Sequence, residues 1–177
     1  MKLTRIERLV LANQYKILEA LYPEEADYYK EAREIVEHGF ELQYSWISEN
    51  VYDDKDTLSS EECKEVIDIL EMFDNLRYSY EQLKDKDGIE EHSIKFQGFD
   101  GNDNLEGKYM SYARFFCESG GGRFEKISKG DFYNSHSLSL DMYRRMLGEY
   151  RKSKKKSELT KEEILNIIGE KVHPSRR

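Results

Sequence analysis

Pro23 and Pro174 are the only prolines in the 177-residue chain, and neither interrupts a segment of helical periodicity. Proline inside a helix removes a hydrogen bond and clashes with the preceding turn, so its scarcity permits long helices. Apolar residues recur every three to four positions over most of the length, which is the helical period. The expected fold is therefore all-α: a single multihelical domain with one irregular or shortly extended segment near residues 89–104.

The first helix is expected from about Thr4 to Leu21, with a stripe of Ile6, Leu9, Val10, Asn13, Ile17, Ala20 and Leu21. Pro23 opens a second helix, where Glu24, Glu25 and Asp27 suit the positive N-terminal end. His38-Gly39 closes it, glycine being free to take the left-handed cap. A third helix is expected over roughly Phe40 to Asn50, followed by an acidic loop at residues 53–56. Ser59 and Glu62 then form a capping box before the longest helix, about Ser60 to Lys84. That helix is apolar on more than one side and is expected to be the central one. Helices follow at about Leu105 to Cys117 and Leu138 to Arg151, with Gly120-Gly121-Gly122 a flexible connection between them. Thr160 and Glu163 cap a last short helix. In domain terms this gives a helical body over 1–151, a basic linker over 152–157, a capped helix over 158–170 packing on the same domain, and a tail over 171–177.

Charged residues make up 36% and hydrophobic ones 38%, but 13 Tyr, 8 Phe and 1 Trp supply large side chains to bury, so the chain is expected to fold. No run approaches the ~18 apolar residues of a membrane span. The first residues lack the apolar core of a secretory signal, and two cysteines, Cys63 and Cys117, make no disulfide framework. A cytoplasmic protein is expected. The net charge of -8 is unevenly spread: residues 144–177 carry 11 Lys/Arg against 5 Asp/Glu, leaving 17 against 31 elsewhere. The acidic body disfavours nucleic acid as a partner, because its field repels phosphate. Only the basic run Arg151 to Lys156 speaks for such contact, and without an aromatic inside it to stack on bases.

Signature chemistry is lacking. Gly101 to Tyr109 fails as a phosphate loop, having five residues rather than four between its glycines and Tyr109 where a small hydroxyl belongs. Asp100 to Asn104 imitates a calcium loop, but Leu105 occupies the turn-glycine position and Ser111 replaces the bidentate glutamate. An Asx-type turn capping the next helix is the expected reading. The four histidines pair with nothing at zinc spacing, so neither metal nor cofactor is expected. Arg33 and His38, at a spacing found in some helical ribonucleases, project from different helix faces.

Two polar features stand out. Asn13 falls on the apolar stripe of the first helix, where its amide must find partners, through an interhelical hydrogen bond or a ligand. The segment Phe96-Gln97-Gly98-Phe99-Asp100 precedes a helix with Tyr109, Tyr112, Arg114, Phe115 and Phe116. Arg114 borders the apolar face there, and a buried ion pair with Asp100 is expected. The candidate ligand-binding set is Asn13, Gln14, Asp100, Tyr109 and Arg114; no catalytic residue can be assigned.

Several blocks occur together and in order: Asn13-Gln14-Tyr15-Lys16; Cys63 with Ile67 to Met72; Phe96 with Gly98-Phe99-Asp100; Tyr109, Tyr112 and Arg114-Phe115; Tyr143 with Arg145-Met146-Leu147; and Ile164 to Ile168. With them the chain resembles the YfbU family over nearly its whole length, most specifically from Gly98 to Phe115. The triple glycine at Gly120 and the basic run Lys152 to Lys156 depart from the pattern. The resemblance implies a helical, cytoplasmic, bacterial protein and brings no activity or catalytic residue with it. The leading functional expectation is a non-enzymatic interaction or regulatory module, with a homo-oligomer or a protein as partner and no membrane. The alternative is a small-molecule enzyme or anionic-ligand binder with a pocket near Asn13, Asp100 and Arg114. Weak nucleic-acid contact through the basic segment comes third, and the balance leans away from an enzyme.

Overall fold

A computed structural model describes residues 2–119, 124, 126–127, 133–173 and 175, the side chains of Asp54 and Ser119 excepted. The expected Gly120-Gly121-Gly122 connection lies outside the described residues. Among those described, the chain is all-α, with six α-helices, four short 3-10 segments and, in place of a sheet, one isolated bridge between Phe99 and Asn134. It forms two compact units, residues 1–57 and residues 58–177. None of the described helices is long and apolar enough to cross a membrane.

The first unit is a helical hairpin, α1 (Arg5–Leu21) packed on α2 (Ala26–His38), followed by a 3-10 segment over Glu41–Ser48. Thr4 and Glu7 make a reciprocal capping box at the start of α1. Gly39 ends α2 in the left-handed region at φ 72°. The third helix expected over residues 40–50 forms instead as that 3-10 segment. Only Tyr44 of it is buried, so little packing rewards a sequence rich in poor helix formers.

The second unit is built on α3 (Ser60–Gln82), which carries the expected Ser59/Glu62 capping box. It packs against α4 (Asn104–Ser119), α5 (Leu140–Tyr150) and α6 (Lys161–Gly169). Its central place follows from its sequence: Val66, Ile69, Leu70, Met72, Phe73 and Leu76 are all buried and cover more than one side. Tyr109, Tyr143, Met146 and Ile164 meet them from the other three helices.

The segment before α4 holds this unit together. Phe99 is fully buried among Phe96, Tyr109 and Tyr143, with ring centroids 5.4–5.6 Å apart and steep edge-to-face angles. Its backbone N–H donates to the Tyr133 carbonyl at 2.8 Å, and its carbonyl accepts from Ser135 N–H at 2.9 Å. Asp103 caps α4 by accepting from the N–H groups of Leu105 and Glu106, both at 2.9 Å, and Asp100 accepts from Asn102 N–H at 3.0 Å. These are the Asx-type turns expected in place of a calcium loop.

Candidate functional site

The first unit has a side it does not bury. Among the described residues the chain exposes sixteen large hydrophobic side chains, and twelve lie in residues 1–57. Among the described residues of that unit, five hydrophobic ones are buried (Ala12, Ala32, Ile35, Val36 and Tyr44). Along α1, Ile6 is 68% exposed, Val10 51%, Ile17 58% and Leu21 65%, whereas Ala12 is 8%. Polar contacts hold the other side of α1 to α2. Arg8 donates to the Val36 and Glu37 carbonyls at 3.3 and 3.4 Å, reaching the last turn of α2, and Arg33 pairs with Glu19 at 3.0 Å. The stripe read as helix core therefore has no covering within its own hairpin.

Asn13 sits in that stripe and is exposed, as is Gln14. The interhelical hydrogen bond expected of the Asn13 amide is not formed. It lines a cleft of about 350 Å³ with Arg5, Arg8, Leu9, Ala12, Val36 and Glu37. Of the two arginines there, Arg8 is already engaged by the α2 carbonyls.

The other three candidates belong to the second unit. Asp100 holds Asn102 through its side chain, at 3.0 Å to the N–H and 3.1 Å to the amide nitrogen. Arg114 is exposed and lies over the Tyr133 ring, 5.7 Å from its centroid. The buried ion pair expected between Asp100 and Arg114 is absent, because the turn of α4 carrying Arg114 directs it outward. Tyr109 is fully buried and donates its hydroxyl to Glu65 at 2.7 Å. Burial, and then the Glu65 carboxylate, push that hydroxyl far above its ordinary value, so it stays a donor at physiological pH.

Glu65 was not singled out by the sequence, yet it stands in a charged cleft of the second unit, about 420 Å³ and lined by Glu61, Glu62, Lys64, Asp68, Arg144 and Arg151 among others. Arg144 grips it with Nε at 2.9 Å and Nη2 at 2.8 Å, a two-pronged pairing that ties α3 to α5. No sequence signal marks a contact 79 positions long. Both charges are neutralised by each other, so the arrangement acts as a clamp rather than as an anion receptor. The Arg144 guanidinium holds the Glu65 carboxyl below its ordinary value of 4.5, against the opposing effect of burial. A depressed folded-state pKa contributes stability that is present above pH 4.5 and lost as pH falls through the folded value. We expect Glu65→Gln to lose about 1 kcal/mol at neutral pH, modest because the pair is partly solvated. The gap from the parent should close below pH 4.5, which urea denaturation at stepped pH will measure.

The basic run is largely engaged by the chain itself. Arg151 pairs with Asp68 at 2.9 Å, Lys152 with Glu149, Lys155 with Glu158 at 3.1 Å, and Lys156 lies 5.5 Å from the Tyr150 ring centroid. A phosphate backbone would have to compete with these acidic neighbours.

A family model described as the YfbU domain matches residues 1–169, a span that includes nearly all of both units.

Proposed function

The chain belongs to the YfbU family, and from its exposed α1 face we propose that it is a non-enzymatic interaction module whose N-terminal hairpin docks a protein partner. The observation that carries the reading is the exposed aliphatic row on α1, Ile6, Leu9, Val10, Ile17 and Leu21, each more than half exposed. Contiguous apolar surface of this kind costs solubility and marks interaction sites on soluble proteins. A helix offering such a row is the usual ligand of a second helix or groove. The small-molecule alternative is weakened by the engagement of Asp100 and Tyr109 in holding the fold, and the nucleic-acid alternative by the ion pairs around Arg151 to Lys155. Membership of the family is what supports a cytoplasmic, bacterial setting for such a module.

The test is photo-crosslinking in living cells, with a benzophenone amino acid at position 17 or, as control, at the exposed Lys30 on α2. Position 17 should give discrete protein adducts and position 30 none. Equal labelling, or no adduct at position 17, would refute an interface on α1.

A further inference from the structure

Resting on that reading, we propose that the partner of the α1 face is a second copy of this chain, related by a two-fold axis passing at Asn13. Ile6, Val10, Asn13, Ile17 and Ala20 follow one another at intervals of four, three, four and three residues. That alternation is the a/d spacing of a two-helix coiled coil, flanked here by the exposed Leu9 and Leu21. Ile6, Val10 and Ile17 along it are all solvent-exposed, while α2 takes the side marked by the buried Ala12.

Asn13 decides between occupants. It stands midway in the seam, with Ile6 and Val10 before it and Ile17 and Ala20 after it. Against an apolar partner its amide would lose water and gain nothing. Two-fold symmetry places amide against amide, and each carries both an acceptor oxygen and a donor NH₂, so the pair satisfies itself. A seam asparagine also restricts the alignment of two helices, since any shift sets the amide against a hydrocarbon.

Charge and area agree. The chain carries -8 overall, which opposes self-association on most faces, but α1 holds Arg5, Arg8 and Lys16 against only Glu7 and Glu19. At roughly 100 Å² exposed per side chain, the five aliphatics on α1 present about 500 Å² per copy, or ~1,000 Å² for a pair, the lower bound for a specific interface. The expected dimer is therefore one that dissociates on dilution.

Light scattering on the eluting full-length chain should give twice the 21.1 kDa chain mass in the upper micromolar range, falling toward one chain at low concentration. Ile17→Glu, at an exposed position, should keep its helical circular dichroism and weaken self-association at least tenfold. Asn13→Cys should form a covalent dimer with a mild oxidant on a non-reducing gel, while Lys30→Cys and the parent should not. A parent that stays monomeric at every concentration overturns the proposal. So does a dimer indifferent to Ile17→Glu, or an Asn13→Cys variant that fails to crosslink. A monomer whose position-17 photo-adducts contain a different protein would sink the self-partner while leaving the interaction module standing. Adducts formed inside one chain would sink both.

Discussion

Gly98→Ala should destabilise the second unit by about 4 kcal/mol or more, at the far end of what a single methyl group does. Gly98 adopts φ 89°, a region L-residues rarely enter. Space is the larger obstacle. A Cβ there would stand 2.2 Å from the Tyr133 carbonyl carbon and oxygen and 2.7 Å from Asn134 N. These are backbone atoms, held by the Phe99 and Ser135 hydrogen bonds to the same strand of chain, so no side-chain rotation relieves the clash. The Gly98 carbonyl also accepts from the Tyr143 hydroxyl and the Ser139 hydroxyl, each at 3.0 Å. Moving residue 98 therefore pulls on α5 as well. Equilibrium denaturation in urea will measure the loss. A variant within about 1 kcal/mol of the parent would mean that the segments at residues 98 and 133 move apart at little cost, and would overturn the prediction.

Glu106→Ala should cost about 3–5 kcal/mol, because it strands several buried donors at once. Glu106 is 3% exposed, yet it is fully hydrogen-bonded. One carboxylate oxygen accepts from Ser139 N–H at 2.9 Å and Leu140 N–H at 2.7 Å. The other accepts from Asp100 N–H at 2.8 Å. The arrangement explains how α5 begins: its N-cap residue, Ser139, makes no capping bond with its own side chain. A carboxylate from α4 takes that role, supplying both acceptor oxygens and the negative charge that a helix N-terminus favours. Glu106→Gln should lose about half as much, since it keeps one acceptor but turns an NH₂ toward N–H groups. If glutamine costs as much as alanine, the one oxygen it retains contributes nothing and the stabilisation rests on the charged carboxylate. Gly98 and Glu106 thus tie the segment before α4 to the start of α5.

Much of the fold was legible because helices announce themselves locally. The Ser59/Glu62 and Thr160/Glu163 boxes, the left-handed Gly39 and the many-sided apolar pattern of α3 depend on residues within four positions of one another. The Thr4/Glu7 box at the start of α1 is written in neighbouring residues in the same way. Where local pattern lacked tertiary support it misled: residues 41–48 carry apolar groups at helical spacing, but with only Tyr44 buried they settle into a tighter 3-10 coil.

Sequence by itself determined which faces are apolar, where the capped helices begin, and that the chain is all-α. It could not determine what each face meets. The stripe on α1 and the stripe on α3 look alike as periodicity, yet α3 is enclosed by three helices and α1 is left open. Asp100 and Arg114, close along the chain, do not pair, whereas Glu65 and Arg144, 79 positions apart, do. Glu106 looked like one more acid in an acidic chain until Ser139 and Leu140, 33 and 34 positions later, came to rest on it. The reason is physical. Helical hydrogen bonds and caps span about four residues and are written in neighbouring side chains, while burial and ion pairing depend on which surfaces the packed helices bring together.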